Sequence, residues 1–381
     1  MGSRLSCPMK LKSIKTYWRF VLLPFSWLYG LGIWIRNRLF DQELLKSTAF
    51  NIPLISVGNI TVGGTGKTPH VEYLATLLGD EFSVATLSRG YKRRTRDFRI
   101  VTIDSTVSEI GDEPLQIKRR FPEITVAVDR KRVNGVEILM NHTPPVEVIL
   151  LDDAYQHRSI KPGFSILLMD YNRPIHKDRL LPAGRLREPA INSIRANIIL
   201  ITRSPERIKP IELREYANQL ELSIGQHLYF TTMRYGDLVP VFPGSEKRDS
   251  DWFKAHVGGV VIVAGIAQPR PLRQYARSIN TNISELFFPD HHSYTQKDME
   301  KISAAYHKLK KGGKEILVLT TEKDAMRLRD HQPEQDLQDA FHAVRIHVHF
   351  LNDDKDEFDR QIINYVHSNK RSSILYQGED H

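Results

Sequence analysis

The segment that most constrains this chain is Gly58-Asn-Ile-Thr-Val-Gly63-Gly64-Thr-Gly66-Lys67-Thr68. It follows a short β-branched run at 52–57 and opens a helical pattern over 68–78. A strand, a glycine-rich turn and a helix in that order make a phosphate-binding loop. The glycines let backbone N–H groups close around phosphate oxygens, and the helix N-terminus adds its positive end. Thr61, Val62, Gly63, Gly64, Thr65, Gly66, Lys67 and Thr68 are therefore the candidate ATP-binding residues. Lys67 would reach the β- and γ-phosphates, and Thr68 would ligate Mg²⁺. The strict pattern has glycine six residues before the lysine, where this chain has Thr61. The second half of such a site is an acid at the end of an apolar strand, which Val148-Ile-Leu-Leu-Asp152-Asp153 supplies. One aspartate would hold Mg²⁺ directly or through water, and the other would orient water or substrate.

Strand-like runs recur at 83–87, 99–103, 124–128, 146–151, 165–169 and 198–202, with helical patterns at 113–120 and 130–140. That alternation predicts an α/β fold with a largely parallel sheet covered on both faces. After a strand at 228–234 come Pro240, Pro243, Gly244 and a polar stretch at 245–251, which read as a domain boundary. A second, smaller α/β pattern follows: strands at 257–264, 283–288, 315–319 and 344–350 and a helix at 297–311. The expected division is an N-terminal segment 1–40, a phosphate-loop domain 41–244, a second domain 245–352 contributing to the site, and a helix with a polar tail at 353–381.

Charge adds a partner. Of a formal +9, residues 1–38 supply seven (Arg4, Lys10, Lys12, Lys15, Arg19, Arg36 and Arg38) and contain no acid. The excess sits beside an apolar stretch rather than on a folded domain, which favours an anionic membrane surface over nucleic acid. Phe20 to Ile35 carries no charge, but sixteen residues make a helix of roughly 24 Å against a hydrocarbon core of ~30 Å. Pro24, Gly30 and Gly32 weaken it further, and Trp18, Trp27 and Trp34 favour the headgroup level. The expectation is a helix lying in the interface; a buried core helix is the plain alternative. Arg36-Asn37-Arg38 stands where a signal peptide would need small residues. Met1-Gly2 with Ser6 matches the myristoylation pattern. A single cysteine, Cys7, excludes an intrachain disulfide and fits a reducing compartment. A second basic cluster, Lys92, Arg93, Arg94, Arg96 and Arg99, is either a solvated loop or a site for anionic substrate or lipid.

Taken together, VGNITVGGTGKTP (57–69), SRGYKR (88–93), GDEP (111–114), VAVDR (126–130), LDDAYQH (151–157), LLPAGRLREP (180–189), AGIAQP (264–269), DHHSY (290–294) and TTEKDA (320–325) resemble the tetraacyldisaccharide 4'-kinase family of lipid A biosynthesis. The resemblance runs from about Trp18 to Leu328. The family shares the departure at Thr61; Ala154 and Tyr155 stand where it usually shows Gly and Phe. It implies a membrane-associated N-terminal helix and two α/β domains with the site between them. It also implies transfer of the γ-phosphoryl of ATP to the 4'-hydroxyl of a lipid-linked disaccharide 1-phosphate at the cytoplasmic face of the inner membrane. No obligate protein partner is evident.

The resemblance also assigns roles. Asp112 matches the family's proposed base, although Asp-Glu-Pro is also good helix-capping chemistry. Asp290 and His291 match its second catalytic pair, and His292 is expected to pack or cap. Arg89, Arg132, Arg187 and Glu188 fall in or beside matched segments and are candidates for substrate binding. Gln156 and His157 are expected to support the magnesium aspartates. Asp-His-His could instead be part of a zinc site, but zinc needs three or four ligands. Two other functions compete. A P-loop GTPase would read guanine with Asn-Lys-x-Asp, which Thr321-Glu-Lys-Asp324 does not match. A membrane-recruited ATPase or scaffold would need the loop and the anchor but no sugar site. Residues matched on both domains make closure on ATP an expectation.

Overall fold

The computed structural model describes residues 20–377 except 92, 247, 291, 311 and 312, with side chains as far as residue 370. The chain divides into two compact units, and each is discontinuous. The first holds residues up to Arg89, Lys131–Thr232 and His349 onward; the second holds Gly90–Arg130 and Met233–Val348. This differs from the expected division at 245: residues 90–130 are an excursion from the first unit, and the C-terminal helix returns to it. Composition along the chain does not reveal such a return, because the crossings carry no glycine- or proline-rich linker.

In the first unit, parallel strands lie in the order 227–232, Ile198–Thr202, Phe164–Asp170, Leu54–Gly58, Val148–Asp152 and Val84–Ser88. The strands Leu54–Gly58, Val84–Ser88, Val148–Asp152 and Ile198–Thr202 are buried along their whole length, as a doubly covered parallel sheet demands. Leu54–Gly58 sits centrally, with Val57 opposite Asp152. That register brings the glycine loop and the paired aspartates to the same carboxyl edge, where ligands bind in open parallel sheets. The final helix, Lys355–Gln377, closes the other end. The Tyr365 hydroxyl donates to the Leu54 carbonyl (3.1 Å) and accepts from the Leu54 amide (3.2 Å), and Tyr73 donates to Asp359 (2.6 Å).

The N-terminal helix Leu23–Asp41 docks on the first unit through a few polar contacts. Buried Ser26 donates to the Leu180 carbonyl (3.0 Å) and accepts from the Ala183 amide (2.9 Å). Tyr29 donates to the Arg187 carbonyl (2.9 Å) and Arg36 to that of Gln156 (2.8 Å). Phe25, Trp27, Leu28, Leu31, Trp34 and Ile35 remain exposed. The helix is thus not the buried core helix of the alternative reading. Among the described residues no helix is long and apolar enough to cross a membrane. Trp18, Cys7, the Met1-Gly2 pattern and the basic residues before Phe20 lie outside the described residues.

The second unit has its own parallel sheet: Ile283–Phe287, Val257–Ala264, Glu315–Thr321 and Phe341–Phe350. Its core gathers Val260, Ile262, Leu272, Leu317, Leu319 and Val344. The excursion adds the short antiparallel pair Arg99–Ile100 with Thr125–Val128 and the helix Asp112–Arg120, which packs on the helix Glu322–Leu328. The extended run expected at 99–103 shrinks to two residues. In the basic cluster, Arg93 donates to Thr95 and to the Arg96 carbonyl, and Arg99 faces Asp97; Lys92 is outside the described residues.

Candidate active site

The loop leaves the sheet at Gly58, where a Cβ would lie 2.8 Å from that of Tyr155, so no larger residue fits. Its first residues are built into the protein. The Val62 amide donates to the Arg185 carbonyl and the Arg187 amide to the Ile60 carbonyl, both at 2.8 Å, and Thr61 bridges Leu186. The amides open to a phosphate are therefore those from Gly63 onward, not Val62. Thr65 is buried: its hydroxyl accepts from Asn59 (2.8 Å) and its carbonyl from the Thr202 hydroxyl (2.8 Å). Gly66, at φ 83°, stands before the helix Lys67–Gly79 and offers it no side-chain cap. The first N–H groups of the helix are left to bind an anion.

Asp153 follows the strand Val148–Asp152 with a left-handed backbone, φ 50°. Its carboxylate lies 3.4 Å from Lys67 Nζ and 3.4 Å from an Arg187 guanidinium nitrogen. Burial works against its charge, but Lys67 and Arg187 outweigh burial and hold the carboxyl below its usual range. Asp152 is buried beside it, and its carbonyl accepts from buried Arg132 (3.3 Å). Thr68, Asp152 and Asp153 thus lie around the same edge and present hard oxygens, the donor type Mg²⁺ takes. Among the described residues no three His, Cys, Asp or Glu side chains cluster as a metal site. The magnesium fit therefore depends on phosphate oxygens completing the set.

The supporting residues are resolved as well. Gln156 donates to the Asn59 carbonyl and accepts from Arg187 (3.4 Å), linking the loop to the aspartates. His157 is pushed down to about 4 by burial and by Arg132 and Arg89, so it stays neutral near pH 7. Glu188 is fully buried and held by Asn192 (2.8 Å) and Arg195. Arg132 and Glu188 are buried, whereas Arg89 is exposed and Arg187 half-buried. Tyr155, at the position of the family's Phe, donates its hydroxyl to the Asn192 carbonyl (2.7 Å).

Sequence reasoning gave no role to His70. It is buried, with Nδ1 2.8 Å from the Gly66 carbonyl and Nε2 3.1 Å from the Thr231 hydroxyl, and burial lowers its pKa from 6.5 to about 4. Below pH 6.5 the unfolded chain takes up a proton there that the folded chain refuses. Stability should therefore fall as pH drops from 6.5 to 4, by on the order of 3 kcal/mol from this group. Urea unfolding across that range should show a shallower decline for His70→Gln than for the unmodified protein.

In the second unit, four of the matched motifs converge on one cluster. Asp112 is the first residue of its helix, and Gly111, at φ 94°, occupies the cap position. The capping reading therefore gives way to an ion-pair role. Buried Asp112 contacts Arg327, with Lys323 at 4.0 Å; Lys323 in turn lies 3.8 Å from Asp290. Asp324 is a brace: it accepts from the Gly265 amide (3.0 Å) and the Thr321 hydroxyl (2.7 Å). His292 pairs with Asp298 (3.0 Å) and stacks on Phe288, which is the packing expected of it. His291 lies outside the described residues. Lys323 and Arg327 were missed, although TTEKDA was the available signal for the first.

The family model for tetraacyldisaccharide-1-P 4'-kinase matches residues 18–367. The chain belongs to the tetraacyldisaccharide 4'-kinase family. The tetraacyldisaccharide 4'-kinase of Phocaeicola vulgatus is 47% identical over 355 residues, covering 92% of this chain and 96% of that protein. That of Bacteroides fragilis strain ATCC 25285 is 46% identical over 364 residues, covering 94% and 96%. A crystal structure of LpxK from Aquifex aeolicus, described as an apo form in complex with ATP, superposes with a TM-score of 0.70 at 29% identity, covering 91% of this family member and 99% of that chain.

Proposed function

We propose that this kinase transfers the γ-phosphoryl of ATP to the 4'-hydroxyl of a tetraacylated disaccharide 1-phosphate, the step that yields the 4'-phosphorylated lipid in lipid A biosynthesis. The single observation that carries the reading is the junction of the glycine loop, Lys67, Asp153 and Arg187 at one sheet edge. The amides from Gly63 onward and the helix N-terminus hold the phosphates, and Lys67 follows the β- and γ-phosphates. Thr68, Asp152 and Asp153 would hold Mg²⁺, which neutralises phosphate charge when bound. Asp112 takes the proton of the acceptor hydroxyl as its oxygen bonds to phosphorus and ADP leaves. Lys323 and Arg327 fix that carboxylate and place positive charge beside it. Asp290, His291, Arg89 and Arg187 are proposed to serve the acceptor side. In the test, the protein is incubated with γ-labelled ATP, Mg²⁺ and tetraacyldisaccharide 1-phosphate in detergent. Label should enter the lipid; label that stays in ATP or appears only as free phosphate sinks the reading, and preference for GTP would restore the GTPase alternative.

The exposed apolar face of the helix Leu23–Asp41 supports peripheral seating on the cytoplasmic side of the inner membrane, beside the lipid acceptor. Trp27→Asp with Trp34→Asp should lower co-sedimentation with anionic vesicles several-fold and leave ATP binding unchanged. Equal sedimentation would remove this helix from the membrane contact.

A further inference from the structure

The open side of the glycine loop is flanked by two arginines that no matched motif contains. The strand Ile198–Thr202 is tied to the loop by the Thr202 hydroxyl on the Thr65 carbonyl (2.8 Å). The next residue, Arg203, takes a left-handed backbone, φ 56°, which is strained for a residue with a side chain. That conformation turns its guanidinium onto Asp170, 4% exposed at the end of the neighbouring strand, at 3.0 Å. Its other terminal nitrogen lies 3.4 Å from where a Cβ on Gly64 would be. Asp170 also forms the turn that brings in the second arginine. Its carboxylate accepts from the Asn172 amide (2.9 Å) and its carbonyl from the Arg173 amide (2.8 Å). Arg173 then carries a guanidinium nitrogen to 3.8 Å from the Cβ position of Gly63. Gly63 and Gly64 are exposed, so both guanidinium groups face the surface that a phosphate chain would cover.

We propose that Arg203 and Arg173 contact phosphate oxygens of the bound nucleotide from the side opposite the loop amides, a role that rests on reading the loop as the cradle of ATP. A guanidinium presents a planar fork of donors, so Arg203 can hold Asp170 with one nitrogen and a phosphate oxygen with another. Neutralising Asp170 alone would account for Arg203 but not for Arg173. Arg173 makes no ion pair with a carboxylate among the described residues.

Titration calorimetry with Mg²⁺-ATP, on proteins first shown to melt normally without nucleotide, tests this. Arg203→Ala and Arg173→Ala should each weaken ATP by about 10- to 100-fold, the usual cost of a charged hydrogen bond. Arg203→Lys should fall between, because an ammonium keeps the charge but lacks the planar fork whose separate nitrogens reach Asp170 and the Gly64 side. Folded variants that bind ATP as tightly as the unmodified protein would overturn the assignment. If Arg203→Ala does not fold, Arg173→Ala decides. An unmodified protein that binds no ATP would overturn the cradle reading itself, whereas equal binding by all variants overturns only the arginines.

Discussion

Asp112→Asn will bind ATP normally and transfer phosphoryl about 10²- to 10⁴-fold more slowly, the range that a positioned general base contributes. The nucleotide loop and Asp112 belong to different units, each with its own core, so ATP affinity reports on the first unit and a thermal melt is needed for the second. The substitution also leaves Arg327 and Lys323, both mostly buried, without the carboxylate between them. Some loss of thermal stability is expected for that reason, tempered by the carboxylates that remain, Asp290 at 3.8 Å from Lys323 and Asp324 at 3.9 Å from Arg327. Lys323→Met separates the two effects: it spares the base and should slow transfer less than Asp112→Asn. A transfer rate for Asp112→Asn within threefold of the unmodified protein would return Asp112 to a purely structural role.

Lys67→Ala will lose both ATP affinity and transfer, with kcat/KM down by on the order of 10³, as when one preorganised charge contact to the reacting group is removed. The structure adds a second consequence. Asp153 is held ionised against its burial by Lys67 first and Arg187 second. With Lys67 gone, its pKa should rise, and residual Mg²⁺-dependent activity should begin to decline at a higher pH on acidification than in the unmodified protein. Coincident pH profiles for the two proteins would show that Lys67 does not set the charge of Asp153.

The loop and the sheet around it were legible because their signals are local. Glycines at 63, 64 and 66 lie directly between a β-branched strand and a helix. Buried parallel strands such as Val148–Asp152 are continuous apolar runs and announce themselves. Asp112 illustrates the opposite case. Its neighbours Lys323 and Arg327 lie more than two hundred positions away, and local chemistry around Asp112 suggested a helix cap. Arg132 and Glu188 are charged residues whose burial could not be read from the sequence. Only tertiary structure decides whether a charged residue faces substrate or props up one that does. The excursion at 90–130 was invisible for a related reason: both crossings fall within ordinary α/β pattern.

The return of the C-terminal helix to the first unit has a consequence for synthesis. The central strand that launches the glycine loop is pinned at its first residue, Leu54, to a tyrosine 311 positions later. As the chain leaves the ribosome, the second unit can assemble as soon as its last strand, Phe341–Phe350, has emerged, but the first waits for the helix beyond Lys355. The segment encoded earliest is thus among the last to be sealed. A protein cut short near residue 350 should keep the Asp112, Lys323 and Arg327 cluster packed while forfeiting its grip on the nucleotide.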